Sequence, residues 1–210
     1  MLQLYYEDDD DIECGIDEAG AGCLAGRLFT ACVILPKKID PEIDPDNLCE
    51  KIKDSKKLSK KLRTKLFDFI TNKLALDYSI VYIEPEEIDE INILQARLKS
   101  YTMSIDKLNI QPNFILVDGP HFNKYYDKDN NYVNHLCVIE GDSKYLSIAA
   151  ASILAKVSKD NYMETIHKEY PMYGWDKNSG YGTKLHHSAI CNHGISIYHR
   201  KSYGICKKYA

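Results

Sequence analysis

A chain of 210 residues with a net charge of −4 and a mean hydropathy of −0.39 suits one domain and is long enough to bury its own core. It holds no apolar run near the roughly 20 residues of a spanning helix, and its polar start with the acidic run from Glu7 to Asp11 is unlike a secretory leader. The charge also argues against a protein that merely coats nucleic acid, because such affinity comes from neutralised phosphates; carboxylates gathered to hold cations would reconcile the two.

Cys14, Cys23, Cys32, Cys49, Cys137, Cys191 and Cys206 are scattered and never form Cys-x-x-Cys, so they read as reduced thiols of an intracellular, cytoplasmic protein. His187, Cys191 and His193 lack a second pair of ligands elsewhere and read as ordinary surface or core residues before a zinc site.

Cys14 to Glu18 and Leu28 to Leu35 are apolar runs around a turn, Gly20 to Gly26, and predict a hairpin. The stretch Lys51 to Lys65 is basic, with Asp54 its only acid; alone it reads equally well as a solvated helix face. Leu62, Leu66, Phe69, Ile70 and Leu74 recur at helical spacing behind an N-cap at Ser59, predicting a helix over 59–76. A strand follows at Tyr78 to Ile83. Next comes a helix from Glu86 to Leu108 behind Pro85, then a buried strand at Asn113 to Val117. Pro120 to Asn134 is polar and reads as a long solvated hairpin loop. His135 to Ile139 is a strand, Ile148 to Ala155 lie in a helix of small residues, and Lys184 to Asn192 form a last helix. Strands alternating with helices after an antiparallel start predict an α/β fold, a mixed sheet flanked by helices. Such sheets gather their sites at the carboxyl ends of strands. The expected organisation is an acidic tail over 1–12, a core over 13–170 and an extension over 171–210.

Four carboxylates stand where folding alone does not ask for acids: Asp17 and Glu18 beside a glycine turn, Asp118 at a strand end and Asp142 ahead of a helix. Each also has a plain structural reading. Asp142 can cap its helix, Asp118 can form an Asx-turn with Gly119, and Asp17 and Glu18 can face solvent. Neighbouring strand residues point to opposite faces, so Asp17 and Glu18 share a site only if the strand bends or ends there. Carboxylates converging without His or Cys suit Mg2+ or Mn2+.

The segments Gly15–Ile16–Asp17–Glu18–Ala19–Gly20–Ala21–Gly22, Asp54–Ser55–Lys56–Lys57–Leu58–Ser59, Val117–Asp118–Gly119, Gly141–Asp142–Ser143–Lys144, Ser147 to Val157, Gly180–Tyr181–Gly182–Thr183–Lys184 and His199–Arg200–Lys201–Ser202 resemble, in order, the motifs of the type 2 ribonucleases H. The resemblance implies a ribonuclease H fold with a helical C-terminal extension that contributes to substrate binding. It implies that Asp17, Glu18, Asp118 and Asp142 are catalytic and hold Mg2+ or Mn2+. Gly20, Ala21 and Gly22 would lie against the backbone at an RNA–DNA junction, Tyr181 would stack on a sugar and Lys56 would approach a phosphate. The partner implied is an RNA/DNA hybrid or a duplex DNA containing ribonucleotides, not a membrane, and the enzyme would act as a monomer. The reaction implied is two-metal hydrolysis on the 5′ side of a ribonucleotide, leaving 3′-hydroxyl and 5′-phosphate ends.

Two features depart from that pattern. Ala21 stands where the family usually places Arg between two glycines, which removes a cation from the substrate-facing loop. The segment 120–134 is long for the family and brings Lys124, Tyr125, Tyr126 and Lys128. A non-catalytic hybrid-binding module is disfavoured, since a binder gains by shedding acids near phosphates. A proofreading-type exonuclease is disfavoured because its first motif separates Asp from Glu by one residue, whereas Asp17 and Glu18 adjoin.

Overall fold

The structure, a computed structural model, describes residues 2–7 and 11–210, so Asp8 to Asp10 of the acidic run lie outside the described residues. β1 (Glu13–Ala19) and β2 (Leu28–Ile34) pair antiparallel with Ile16 opposite Cys32. β3 (Asp77–Ile83) extends the sheet beyond β2, and β4 (Phe114–Asp118) lies parallel to β1 on its other side. β6 (Tyr132–Val138) is parallel to β4, and the short β5 (Tyr125–Tyr126) closes the edge, giving the order β3-β2-β1-β4-β6-β5. The expected mixed α/β sheet is present.

The two faces of β1 follow its period of two. Cys14 and Ile16 join Cys32, Ile34, Ile115 and Val117 against Tyr101 and Ile105 of α2 (Pro85–Asp106). On the opposite face Ala31 and Val33 pack against α1 (Lys60–Phe69) and against the buried Ala149, Ala150, Ala151 and Ile153 of α3 (Leu146–Glu169). Helix α3 crosses β1 so closely that a Cβ on Gly15 would stand 2.4 Å from the Ile148 nitrogen and the Ser147 carbonyl carbon. Glycine at 15 and alanines at 149–151 are the sequence's means of bringing those two backbones together.

Several predicted elements differ in extent. Ser59 caps α1 through Leu62 N–H at 3.3 Å, but after Phe69 the chain widens into a π turn over Ile70–Leu74, closed by Ala75 N–H on the Ile70 carbonyl at 3.0 Å. Helix α2 is broken at Asn92, where φ is 65°; its side chain accepts the Leu94 and Gln95 N–H groups at 3.0 and 3.2 Å and starts the second half as an N-cap. Apolar spacing carries straight across that residue, so the break is invisible to periodicity. The 120–134 segment is not only a solvated loop. Tyr125 is 5% exposed and donates to Asp106 Oδ1 at 2.8 Å, and β6 starts at Tyr132, ahead of the predicted strand. In the N-terminal segment, Gln3 exchanges backbone hydrogen bonds with Lys144 and Leu146, both at 2.8 Å, and Tyr6 stacks on Phe114 with centroids 5.3 Å apart.

Beyond α3, the short α4 (Trp175–Asn178), α5 (Lys184–His193) and a helical turn at Gly204–Lys208 form their own small core around the fully buried Trp175, with Leu24 and Ala25 of the loop after β1 packed into it. A polar chain runs through this core. Ser196 N–H donates to His199 Nδ1 at 2.9 Å, so the His199 proton sits on Nε2 and is donated to His186 Nε2 at 3.1 Å. Trp175 Nε1–H donates to the same nitrogen at 3.0 Å, leaving His186 Nδ1–H to donate to the Tyr181 carbonyl at 3.0 Å. Both imidazoles are neutral in this arrangement. Burial pushes both down, His199 to about 3 with His186 beside it as a further cause.

Gly15→Ala forces a methyl into two backbone atoms and is expected to lose about 3 kcal/mol, a fall of roughly 6–12 °C in Tm by thermal denaturation; a Tm unchanged from wild type contradicts the close approach. The unfolded chain protonates its histidines near 6.5 while folded His199 resists protonation until about 3. Its contribution is therefore complete above pH 6.5 and is lost as pH falls below it, at up to about 1.4 kcal/mol per pH unit. A His199→Gln variant, compared with wild type by denaturation between pH 7 and 4, is expected to show the shallower dependence; parallel curves would contradict it.

Candidate active site

Strand β1 does not kink or end at Asp17; its pairing with β2 continues through Ala19 opposite Phe29. Asp17 and Glu18 accordingly leave on opposite faces and meet only at the rim where the strand opens into a cleft. Asp17, 6% exposed, lies on the α3 side and takes a hydrogen bond from Ser152 and, at 2.7 Å, the Glu18 N–H. Burial holds its carboxyl well above the ordinary aspartate range, and the charges of Glu18 and Asp118 push the same way. Glu18 lies on the α2 side, where Tyr101 donates its hydroxyl to it. Arg97 Nε stands 2.9 Å from Glu18 Oε1 in an ion pair. Burial raises the Glu18 carboxyl, and Arg97 and Tyr101 oppose that rise.

Asp118 ends β4, the parallel neighbour of β1, one residue beyond the Ile16–Val117 pair, and so stands beside Asp17. Its Oδ1 accepts the Gly141 N–H at 2.7 Å, which ties the turn carrying Asp142 to the end of β4. Asp142 is raised by burial first, then by Asp54 and Asp118, against Lys56 and Lys57. The four sequence-predicted carboxylates thus form an electrostatically linked row across the ends of β1, β4 and β6. Among the described residues no three His, Cys, Asp or Glu side chains converge as a ready cage. The donor set nevertheless fits a hard divalent ion. It is oxygen-only, and the mutual repulsion of one buried and three half-buried carboxylates is what a cation would relieve.

The cleft above this row, about 540 Å³, is lined by Asp17, Glu18, Gly20, Gly22, Lys56 and Tyr181, so it brings together the predicted acids of β1 and the predicted substrate-facing residues; Asp118 and Asp142 lie outside its lining. Lys56 is exposed on a turn capped by Asp54, which accepts its N–H at 2.9 Å. Tyr181 is exposed with Lys159 Nζ 4.8 Å from its ring centroid, while that ammonium, buried and lowered by burial, donates to the Ser179 carbonyl at 2.7 Å. Ala21 packs at the margin of the apolar cluster of Leu28, Ile83 and Ile88.

Arg97 and Tyr101 carry no mark of a site role in the sequence, while Ser152, Arg63 and Lys156 fall in segments noted there without a role of their own. The last two are cations that also line the cleft. The helical spacing of Ser152, Lys156 and Asp160 was the available signal, since it puts all three on one face of α3.

Linked carboxylates at the ends of neighbouring strands in this mixed sheet, beneath a cation-lined cleft, are by class the arrangement of a metal-dependent ribonuclease H. The fold is shared with the ribonuclease H2 of Pyrococcus horikoshii OT3, with a TM-score of 0.75 at 24% identity over 94% of this chain and 96% of that one. A chain of the PCNA:RNase HII complex from Archaeoglobus fulgidus gives a TM-score of 0.71 at 25% identity, over 92% and 96%. Residues 14–206 match the family model of ribonuclease HII, and the protein of that name from Bacteroides thetaiotaomicron is 48% identical over 204 residues, 97% of this chain and 95% of its own. The chain belongs to the ribonuclease HII family and is a metal-dependent enzyme.

The fold places different demands on the two loop glycines. At Gly20 φ is 102° and a Cβ would meet the Arg27 carbonyl at 3.1 Å and the Lys159 stem at 3.3 Å, so the fold itself demands glycine. At Gly22 a Cβ would meet nothing within 4 Å. Gly20→Ala is therefore expected to destabilise by about 1–3 kcal/mol, whereas Gly22→Ala should melt like wild type and weaken hybrid binding. Denaturation and binding measured on both variants check this, and a stability loss at Gly22 equal to that at Gly20 would contradict it.

Proposed function

We propose that the protein is an endoribonuclease that cuts the RNA strand of RNA/DNA hybrids and single ribonucleotides embedded in duplex DNA, on the 5′ side of the ribonucleotide, leaving 3′-hydroxyl and 5′-phosphate ends. The observation that carries this reading is the shared cleft, which sets Asp17 and Glu18 opposite an open glycine backbone and an exposed tyrosine. Asp17, Glu18, Asp118 and Asp142 would hold two divalent ions, Mg2+ or Mn2+. Such ions, when bound, supply an activated water and neutralise a leaving oxygen.

The protein's own groups do the recognition. RNA and DNA differ at the scissile nucleotide in the 2′-hydroxyl, and the backbone of Gly20–Ala21–Gly22 is the part of the cleft able to approach it without a side chain intervening. Tyr181 offers a face for the adjoining sugar, its ring steadied by the Lys159 ammonium beneath. Lys56, Arg63 and Lys156 line the same cleft and would take phosphates. The division into a core over 13–170 and an extension over 171–210 follows from these roles, because the extension brings Tyr181. The working unit in this reading is a monomer. No helix among the described residues is long and apolar enough to cross a membrane, and we place the activity on intracellular nucleic acid.

The test uses duplexes carrying one ribonucleotide, a full RNA strand or no RNA, each with Mg2+, Mn2+ or chelator. Cleavage of the first two with either metal, none of the third and none in chelator is expected. Asp118→Asn and Asp142→Asn should each abolish detectable cleavage with hybrid binding kept. Cleavage of the all-DNA duplex at a comparable rate, or near-normal turnover in both variants, would overturn the proposal.

A further inference from the structure

Arg200 is fully buried, a costly place for a guanidinium, and among the described residues no carboxylate forms an ion pair with it. Three side-chain hydrogen bonds tie it to the backbone of the loop after β1. Nη1 donates to the Ala21 carbonyl at 2.9 Å, and Nε and Nη2 donate to the Gly26 carbonyl at 3.1 and 2.9 Å. Its own N–H donates to the Leu24 carbonyl at 2.8 Å. Tyr203, whose ring centroid lies 5.0 Å from the guanidinium carbon, adds its hydroxyl to the Ala21 carbonyl at 3.0 Å. One carbonyl, at the middle of the glycine loop, thus receives two donors from the C-terminal extension.

The peptide between Ala21 and Gly22 is trans, as are the others among the described residues, so its N–H points opposite to its C=O. With the carbonyl drawn inward by Arg200 and Tyr203, the Gly22 N–H is turned outward, into the cleft that Gly22 lines. Gly22 is exposed, and among the described hydrogen bonds no protein acceptor takes its N–H. A cation held on the carbonyl in a water-poor interior also polarises the peptide and makes that N–H a stronger donor.

We propose that Arg200 and Tyr203 are positioning residues for ribose recognition: they fix the Ala21–Gly22 peptide so that the Gly22 N–H meets the 2′-oxygen of the ribonucleotide. This rests on the reading above that the loop reads the 2′-hydroxyl. It also accounts for a loop that works with Ala21 in place of a cation, because the cation that matters to the peptide stands behind it.

The test measures dissociation constants, in Ca2+ to prevent turnover, for a duplex with one ribonucleotide and for the same duplex in DNA. Wild type, Arg200→Lys and Tyr203→Phe are compared. The wild-type ratio of DNA to ribonucleotide constants should exceed one. Tyr203→Phe should cut that ratio about fivefold, the effect of one hydrogen bond, with DNA affinity unchanged. Arg200→Lys, which cannot span both carbonyls, should cut it further. If the lysine variant does not fold, Tyr203→Phe carries the test, since it removes one oxygen and keeps the ring. A wild-type ratio of one overturns the underlying reading and the proposal with it. A high wild-type ratio left intact in folded variants, or an equal loss of both affinities, overturns the proposal alone.

Discussion

The contact on which the rest depends is the crossing of α3 over β1 at Gly15, where two backbones meet without an intervening side chain. That approach places Ser152 on Asp17 and brings Ser55 within a hydrogen bond of Ser152, at 3.0 Å. One helical turn further along, Lys156 reaches the cleft, and Lys159 reaches beneath Tyr181. A bulkier seam would lift α3 from the sheet and scatter these groups together, which is why small residues at 149–151 and glycine at 15 belong to the site as much as to the core.

Charge buried along this seam is balanced in a network. Asp160 binds Lys156 at 2.7 Å, Arg63 at 3.5 Å and the Ser179 hydroxyl at 3.3 Å, while Arg63 donates to the Ser55 and Leu58 carbonyls at 2.9 and 2.7 Å. A single carboxylate therefore links the turn bearing Lys56 to the turn bearing Tyr181. Across the sheet, Arg97 and Tyr101 hold Glu18, so the two adjacent acids of β1 answer to two different helices. Burial and neighbouring acids raise the carboxyls of Asp17, Glu18 and Asp142, the shift that a bound cation would oppose.

The strand run and its acids were legible because they are local. Alternation, glycine turns and strand-end acids appear in a few consecutive residues, and the ordered motifs fixed the family. What escaped depends on distance or on backbone partners. Arg97 and Tyr101 look like ordinary helix residues until α2 is laid against β1. Asn92 breaks a helix by capping, while the apolar spacing on either side continues. Tyr125 sits in a polar segment, and only its contact with Asp106 shows that it is core. Arg200 falls within a motif noted in the sequence, yet its partners are carbonyls, which leave no mark on residue identity.

We infer that the row of acids at the strand ends seats the ions of the reaction. The most direct test counts Mn2+ bound to the protein in complex with a hybrid carrying an uncleavable linkage, by electron paramagnetic resonance of the free ion. Two ions per chain are expected, with at least one lost in Asp17→Asn while the hybrid stays bound. The same count in a variant with both Asp17 and Asp118 replaced by Asn would place the ions elsewhere and contradict the account.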